Sequence, residues 1–145
     1  MMIKLLFDEI PLSGNLYSKY SATRRNYKPR VRGLTLDEYK TKWGVLTKRA
    51  WLIAGNPEYK NPVIIKPELH RWNMKAWYDT DNLWQGLKPI IDFLVKFGMF
   101  TDDTQDLIKH GIPEWIKDRE EKMILKIDVF KIVDVFKIIK FNFRM

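Results

Sequence analysis

One segment of this chain carries both a start signal and a stop signal for a helix, and it constrains the fold most strongly. Thr35, followed by Glu38 three residues later, has the pattern of a capping box. Gly55 is a residue type that commonly ends helices. Between them, apolar residues recur at helical spacing: Tyr39, Trp43, Leu46, Ala50 and Ile53. The segment therefore predicts a long amphipathic helix, with Trp43 and Trp51 packed in the core.

A second helical pattern lies within residues 82–97 and ends at Gly98. At about 100° per residue, its polar residues share one face: Asp81, Gln85, Lys88 and Asp92. The opposite face is apolar: Leu83, Leu87, Ile90, Leu94 and Phe97. Pro89 leaves a second interpretation open, in which residues 82–87 form a separate turn and the helix begins at the proline.

Other segments have the properties of strands or connections. Ile3–Phe7 predicts a first strand, and residues 121–130 predict a last strand because apolar and charged residues alternate. Residues 63–69 predict a further strand, where Pro67 favours an edge position or a bulge. The remaining segments are less regular: residues 72–78 fit a loop or a short strand, 101–109 a short polar segment, 114–121 a solvated loop, and 131–145 either a strand or a helix.

The acidic residues around the second helix are the strongest indication of chemistry. Asp79 and Asp81 are two residues apart, so on an extended segment their carboxylates would point the same way. Asp102 and Asp103 follow the helix and can return to the same end of the fold. Hard cations such as Mg²⁺ bind carboxylate oxygens, and metal-bound water can attack a phosphodiester. The alternative is structural. Asp81 precedes the helix and is a candidate cap, and Asp79 and Asp81 would then serve as a cap and a turn residue. Asp102 and Asp103 would lie in a solvated turn, and Lys88 would be an ordinary exposed lysine.

Length and composition limit the class of protein. A chain of 145 residues suits one domain, here residues 1–145 with 131–145 as a C-terminal extension. The absence of cysteine removes disulfides and thiolate chemistry. Charged residues interrupt every long apolar run, so we expect no signal peptide, no membrane span and a cytoplasmic location.

Positive charge is concentrated near the N-terminus. The net charge is +8, and basic proteins attract polyanions such as nucleic acids. Residues 19–32 contain no acidic residue and predict a loop or arm that contacts DNA phosphates. Its basic residues, here called the basic run, are Lys19, Arg24, Arg25, Lys28, Arg30 and Arg32.

Three stretches together resemble a known family. They are Asp79-Thr80-Asp81-Asn82-Leu83, then Lys88-Pro89-Ile90-Ile91-Asp92, then Gly98-Met99-Phe100-Thr101-Asp102-Asp103-Thr104-Gln105. This order of motifs resembles the signature of the RusA-type Holliday junction resolvases. The residues Pro11, Ser13, Asn15 and Tyr17 are similar to the family's loop after its first strand.

The resemblance implies both a fold and an activity. The fold would be α+β, with a small mixed sheet packed against two main helices, in a homodimer. The protein would cut four-way DNA junctions symmetrically in recombination and repair, using Mg²⁺ or Mn²⁺, in a bacterial or phage-infected cell. The metal ligands would be Asp79, Asp81 and Asp103, with Asp102 beside them. Lys88 would be the essential lysine, and Asn15 would join the basic run in binding DNA.

The chain departs from the family at the lysine position and in its tail, since the residues beyond Phe130 have no counterpart in the family. The family lysine usually comes four residues after the second aspartate, where this chain has Gln85. Lys88 keeps the spacing to Asp92, and for that reason it is assigned the role. Two alternatives remain open: a DNA-binding protein of the same fold without activity, and a nuclease for flaps or other branched DNA.

Overall fold

Three helices and a five-stranded mixed sheet form the part of the chain that the structure describes. The structure is a computed structural model that describes residues 2–21, 30, 32–73, 79–104 and 106–129, with backbone alone for 19–21. The elements are β1 (Ile3–Phe7), α1 (Gly14–Ser21), α2 (Leu36–Ile53), β2 (Val63–His70), α3 (Thr80–Phe97), β3 (Ile108–His110), β4 (Glu114–Ile116) and β5 (Lys122–Val129). The α+β class with a mixed sheet is confirmed, and the two long helices expected are α2 and α3, which a short third helix accompanies.

Strands β1, β5 and β2 form the antiparallel part of the sheet, with β1 at its edge. β5 lies between β1 and β2, while β3 and β4 both pair in parallel with the other side of β2. Register places Leu5 opposite Leu125 and Ile65 opposite Ile127, and all four are fully buried. Alternate residues such as Lys4 and Leu6 are exposed. One face of the sheet therefore contributes to the core, which it shares with buried residues of α2 and α3.

Pro67 lies within the central strand β2, so the edge position favoured by the sequence is wrong. The backbone groups of Val63 and Ile65 point toward the β3 side, where Val63 N–H donates to Leu107 and Ile65 C=O accepts from Gly111. Position 67 has the same orientation, because strand residues alternate. It faces the break between β3 and β4, so the missing proline N–H costs no ladder hydrogen bond.

The capping box of α2 is confirmed. The Thr35 hydroxyl accepts from the Glu38 N–H at 3.3 Å, and the Glu38 carboxylate accepts from the Thr35 N–H at 3.3 Å. The helix continues to Ile53, close to the stop expected at Gly55. Trp43 is buried as expected, with its ring 5.9 Å from that of Phe7.

Helix α1 was not foreseen from the sequence. It takes up the start of the basic run, so the expected loop or arm is wrong for residues 19–21. The missed signal is Ser13, whose hydroxyl accepts from the Leu16 N–H at 3.3 Å as an N-cap does. The helix has eight residues, of which only Tyr17 packs against the core among the described side chains, so its apolar pattern is too short to be recognised.

Helix α3 runs unbroken through Pro89, so the alternative start at the proline is wrong. Its faces are as predicted: Leu83 and Leu94 are buried, while Lys88 and Asp92 are exposed. A proline leaves the carbonyl four residues earlier without a helical partner. That carbonyl belongs to an exposed residue, Gln85, where water can reach it.

Two short strands lie where the sequence predicted irregular segments. β3 ends the polar segment 101–109, and β4 begins the predicted loop 114–121. Each has three residues, too few to show an alternating pattern. The last strand is confirmed as Lys122–Val129.

The extension 131–145 and most of segment 72–78 lie outside the described residues. Within the described part of the chain, no helix has the length and apolar character needed to cross a bilayer.

Leu12 ties all three helices together just before α1. Its N–H donates to the Tyr39 hydroxyl on α2 at 3.0 Å. Its carbonyl oxygen lies so close to α3 that a Cβ placed on Gly86 would be 2.2 Å away from it. A side chain at position 86 would therefore push α3 away from this loop.

We predict that Gly86→Ala destabilises the protein by about 1–3 kcal/mol, as overpacking does, although alanine otherwise favours a helix by about 1 kcal/mol. Gly44→Ala is the control, because its Cβ would come no closer than 3.0 Å to another atom, on the Phe93 ring, and a small adjustment of a few tenths of an ångström relieves that contact. The free energy of unfolding in urea measures both. The packing described here is contradicted if Gly86→Ala is as stable as Gly44→Ala.

Candidate functional site

The first turn of α3 carries two of the acidic residues. Asp79 is the N-cap: its Oδ1 accepts from the Asn82 N–H at 2.8 Å, and its Oδ2 accepts from the Asn82 side-chain amide at 3.0 Å. Asp81 is exposed within the turn. The expectations that Asp81 is the cap and that both acids share an extended segment are wrong, because the helix begins between them at Thr80. Both still lie where the helix dipole favours negative charge.

Lys88 lies two turns further along the exposed face of α3. Its Nζ is 3.2 Å from Asp103 Oδ2 and 3.6 Å from Asp92 Oδ1. The hydrogen bond to Asp103 and the Asp92 charge raise the pKa of Lys88, and the Lys88 hydrogen bond lowers the pKa of the Asp103 carboxyl. The ammonium of Lys88 and the carboxylate of Asp103 are therefore both held in their charged forms. The side chains of Lys88 and Asp103 are 66% and 39% exposed, so solvent screening leaves their pairing worth little to stability.

A tightly anchored loop holds Asp103 opposite Lys88. α3 ends at Gly98, and the next residues, Met99 and Phe100, are buried. The Met99 carbonyl accepts from the Tyr59 N–H at 2.8 Å, which fixes the loop to the segment before β2. Three residues further on, the Asp102 Oδ1 accepts from the Asp103 N–H at 2.7 Å and shapes the turn at the acidic pair.

Gln85 occupies a different environment from Lys88. A Cβ placed on Gly14 would lie 2.3 Å from the Gln85 Cβ and 2.5 Å from its Oε1. The Gln85 side chain is therefore packed against the first residue of α1. Lys88, by contrast, donates a hydrogen bond to Asp103 in the loop after α3. The two residues are 15 positions apart in sequence.

The structure brings part of the expected set together. Lys88 meets Asp103, whereas Asp79 and Asp81 lie at the start of the helix. Seven residues separate Asp81 from Lys88, a rise of roughly 10 Å along the helix. Among the described residues, no three His, Cys, Asp or Glu side chains are grouped so that they could hold a metal ion. The residue types do suit Mg²⁺, which binds carboxylate oxygens. The four expected aspartates are all exposed: Asp79, Asp81, Asp102 and Asp103.

The residues expected to bind DNA fall into two groups. Asn15 is exposed on the first turn of α1. Arg30 donates to the Gly33 carbonyl at 3.1 Å, and Arg32 donates to the Ile10 carbonyl at 2.8 Å. The remaining members of the basic run lie outside the described residues or have no described side chain: Lys19, Arg24, Arg25 and Lys28.

The two histidines have partners that sequence spacing did not reveal. His70 lies between two carboxylates, with Nε2 2.8 Å from Glu68 and Nδ1 3.1 Å from Asp118. His110 stacks on Trp84 of α3, with ring centroids 3.8 Å apart and planes 4° from parallel. Burial lowers the pKa of His110, which favours a neutral ring in that stack. Only the Glu68–His70 spacing on one strand could have suggested either contact.

Comparison with known proteins adds no family assignment. No protein-family model and no curated protein sequence matches the chain. The function must therefore be argued from the residues and from the geometry around Lys88.

We predict that Lys88→Met raises the pKa of the Asp103 carboxyl toward its usual range, because the ammonium that lowers it is removed. Carbon-detected NMR titration of the aspartate carboxyls measures the change. In the wild type, the pair persists as the pH falls until Asp103 protonates below its usual pKa. Lys96→Met, on the same helix, should leave Asp103 unchanged. An unaltered Asp103 pKa in Lys88→Met would show that the contact does not form in solution.

Proposed function

We propose that this protein is a metal-dependent endonuclease that cuts four-way DNA junctions. The contact between Lys88 and Asp103 supports this most directly. It joins two residues, distant in sequence, to which the family resemblance gives the roles of essential lysine and metal ligand. The packing of Gln85 against Gly14 is consistent with the choice of Lys88 over Gln85 for the lysine's role.

In this proposal Asp79, Asp81 and Asp103 would hold Mg²⁺ or Mn²⁺, with Asp102 beside them. The start of α3 and the loop after it would have to approach each other around the ion, because the described carboxylates are not grouped in threes. When bound, such an ion supplies an activated water and stabilises charge on a phosphodiester. Lys88 adds a fixed positive charge for the scissile phosphate. Asp103 and Asp92 raise the pKa of Lys88 further above neutrality, and before DNA arrives they hold its ammonium at 3.2 Å and 3.6 Å, beside the proposed metal ligand Asp103.

We infer that two copies act together as a homodimer. A four-way junction presents two equivalent strands, and a twofold pair of sites can cut both. The net charge of +8 suits a partner with a phosphate backbone. The cellular role would then be the resolution of junctions in DNA recombination and repair.

A comparison of DNA substrates tests the activity. The proposal expects a four-way junction to be cut at two symmetric positions with Mg²⁺, no cutting in EDTA, and little cutting of linear duplex. Tight junction binding without cleavage under any metal would instead favour a DNA-binding protein that lacks activity. Preferential cutting of flaps, or cuts in only one strand of the junction, would contradict the paired resolution proposed here.

Variants assign the roles within the site. We expect Asp79→Asn, Asp81→Asn, Asp103→Asn and Lys88→Met each to lower the cleavage rate by about a hundredfold or more while junction binding persists. Asparagine caps helices as well as aspartate does, so Asp79→Asn separates catalysis from helix stability. Asp8→Asn and Lys4→Met change the same charges at exposed positions of the first strand and its end, and should keep full activity. Full activity in the site variants would refute the assignment.

The basic run is expected to bind phosphates without reading sequence. Replacing Arg24, Arg25 and Lys28 with alanine should weaken binding to all DNA alike and reduce the slope of log affinity against log salt by up to about 0.9 for each phosphate that is no longer neutralised. The control removes equal charge from exposed positions elsewhere: Lys48, Arg49 and Lys60. Equal slopes in the two triple variants would locate the DNA surface away from the basic run.

A further inference from the structure

A cleft of about 520 Å³ opens beside Lys88, where α1, α2 and α3 meet. We call it the three-helix cleft. Its lining includes Tyr17, Lys40, Lys88, Pro89, Phe93 and Lys96. Its volume falls within the range of about 300–1,000 Å³ that is typical of small-ligand sites. It shares Lys88 with the candidate active site, so whatever occupies it lies next to the proposed scissile phosphate.

The lining of the cleft combines aromatic rings with positive charge. Tyr17 and Phe93 are half-buried and provide two aromatic rings. Among the side chains that the structure describes, the charged members of the lining are three lysines and one acid, Asp92, and Lys88 lies 3.6 Å from that acid. The exposed lysines Lys40 and Lys96 therefore leave the lining with net positive charge. Aromatic faces beside lysines are the combination that binds single-stranded nucleic acid, with bases on the rings and phosphates on the cations.

The aromatic walls are held in place by the fold. The Tyr17 ring lies 6.0 Å from that of Tyr39, and the Phe93 ring stacks at 5.9 Å on that of Phe97. The close packing of Gly14 against Gln85 fixes α1 against α3. Burial raises the pKa of the Tyr17 phenol, and the Asp92 charge raises it further, so the wall stays neutral and does not repel phosphate. A preformed site costs less entropy to occupy.

We propose that the three-helix cleft receives one unpaired nucleotide of the branched DNA substrate, with its base against Tyr17 and Phe93 and its phosphates near Lys40 and Lys96. The inference rests on the proposed DNA substrate and extends it. A base inside a duplex is covered on both faces by its neighbours, so only an unstacked base can enter. Branch points supply such bases at low cost. The cleft thereby selects branched over linear DNA by shape rather than by sequence.

The test measures base stacking in the absence of cleavage. Junction and flap DNA carry 2-aminopurine, a base analogue whose fluorescence falls on stacking, at successive positions around the branch, with the full-length protein in EDTA. We expect quenching at one position beside the branch. Phe93→Leu and Tyr17→Leu should abolish the quenching and weaken binding of branched DNA at least about fivefold, with duplex binding unchanged. Trp72→Leu removes an exposed aromatic ring that lies outside the cleft and does not contact its walls, and should retain both.

A second pair of variants covers the case in which an aromatic substitution disturbs folding. Lys96→Gln should weaken binding of branched DNA, whereas Lys48→Gln, at a position that lines a neighbouring groove and not the cleft, should not. Quenching that survives Phe93→Leu and Tyr17→Leu in folded protein, or equal effects of the two lysine variants, would overturn the cleft proposal while cleavage activity stands. Quenching without cleavage under any metal would support nucleotide binding in the cleft and contradict the proposed nuclease activity. Failure to bind any DNA would refute both.

Discussion

Helix α3 buries one face in the shared core, and this burial sets the position of the whole candidate site. Leu83, Leu87 and Leu94 are almost fully buried. They fix the rotation of the helix, so Lys88 and Asp92 must lie on its outer side. The close approach of Gly86 to the Leu12 carbonyl then limits how far α3 can move from the loop before α1. The cap, the lysine and one wall of the three-helix cleft all follow from the placement of this one helix.

The exposed face of α3 is organised by charge. An ion pair as exposed as that of Lys88 and Asp103 adds little to folding free energy, so the stability of the fold does not require it. We infer that the pair serves the chemistry, keeping a cation and a carboxylate within reach of one phosphate. The cleft beside it extends the same surface with aromatic rings and further lysines. Together these features favour a branched polyanion over a small neutral substrate as the ligand.

Sequence predicted the elements whose signals are local and long. The capping box of α2 and the two faces of α3 needed only nearby residues, and both are confirmed. α1 was missed because one packed aromatic, Tyr17, is too little periodicity to recognise. β3 and β4 were missed because three residues cannot show alternation. The position of Pro67 was misjudged. A proline fits inside β2 only because position 67 faces the break between β3 and β4, and this break is visible only in the assembled sheet.

The site was predictable in part. Helical angles placed Lys88 with Asp92, but which of Asp79 and Asp81 caps the helix depends on where the backbone turns. The contact between Lys88 and Asp103 depends on how the loop after α3 folds back, which local pattern does not determine. The three-helix cleft involves side chains from three separate helices, so no spacing in the sequence indicates it.

A double-mutant cycle on junction cleavage tests the central claim most directly. Lys88→Met, Asp103→Asn and the double variant are compared with the wild type by their single-turnover rates in Mg²⁺. If the two residues act as one unit, the double variant should lose about as much activity as either single variant, because groups that act together are strongly non-additive. Losses that multiply in the double variant, or activity unaffected by either single change, would contradict the account.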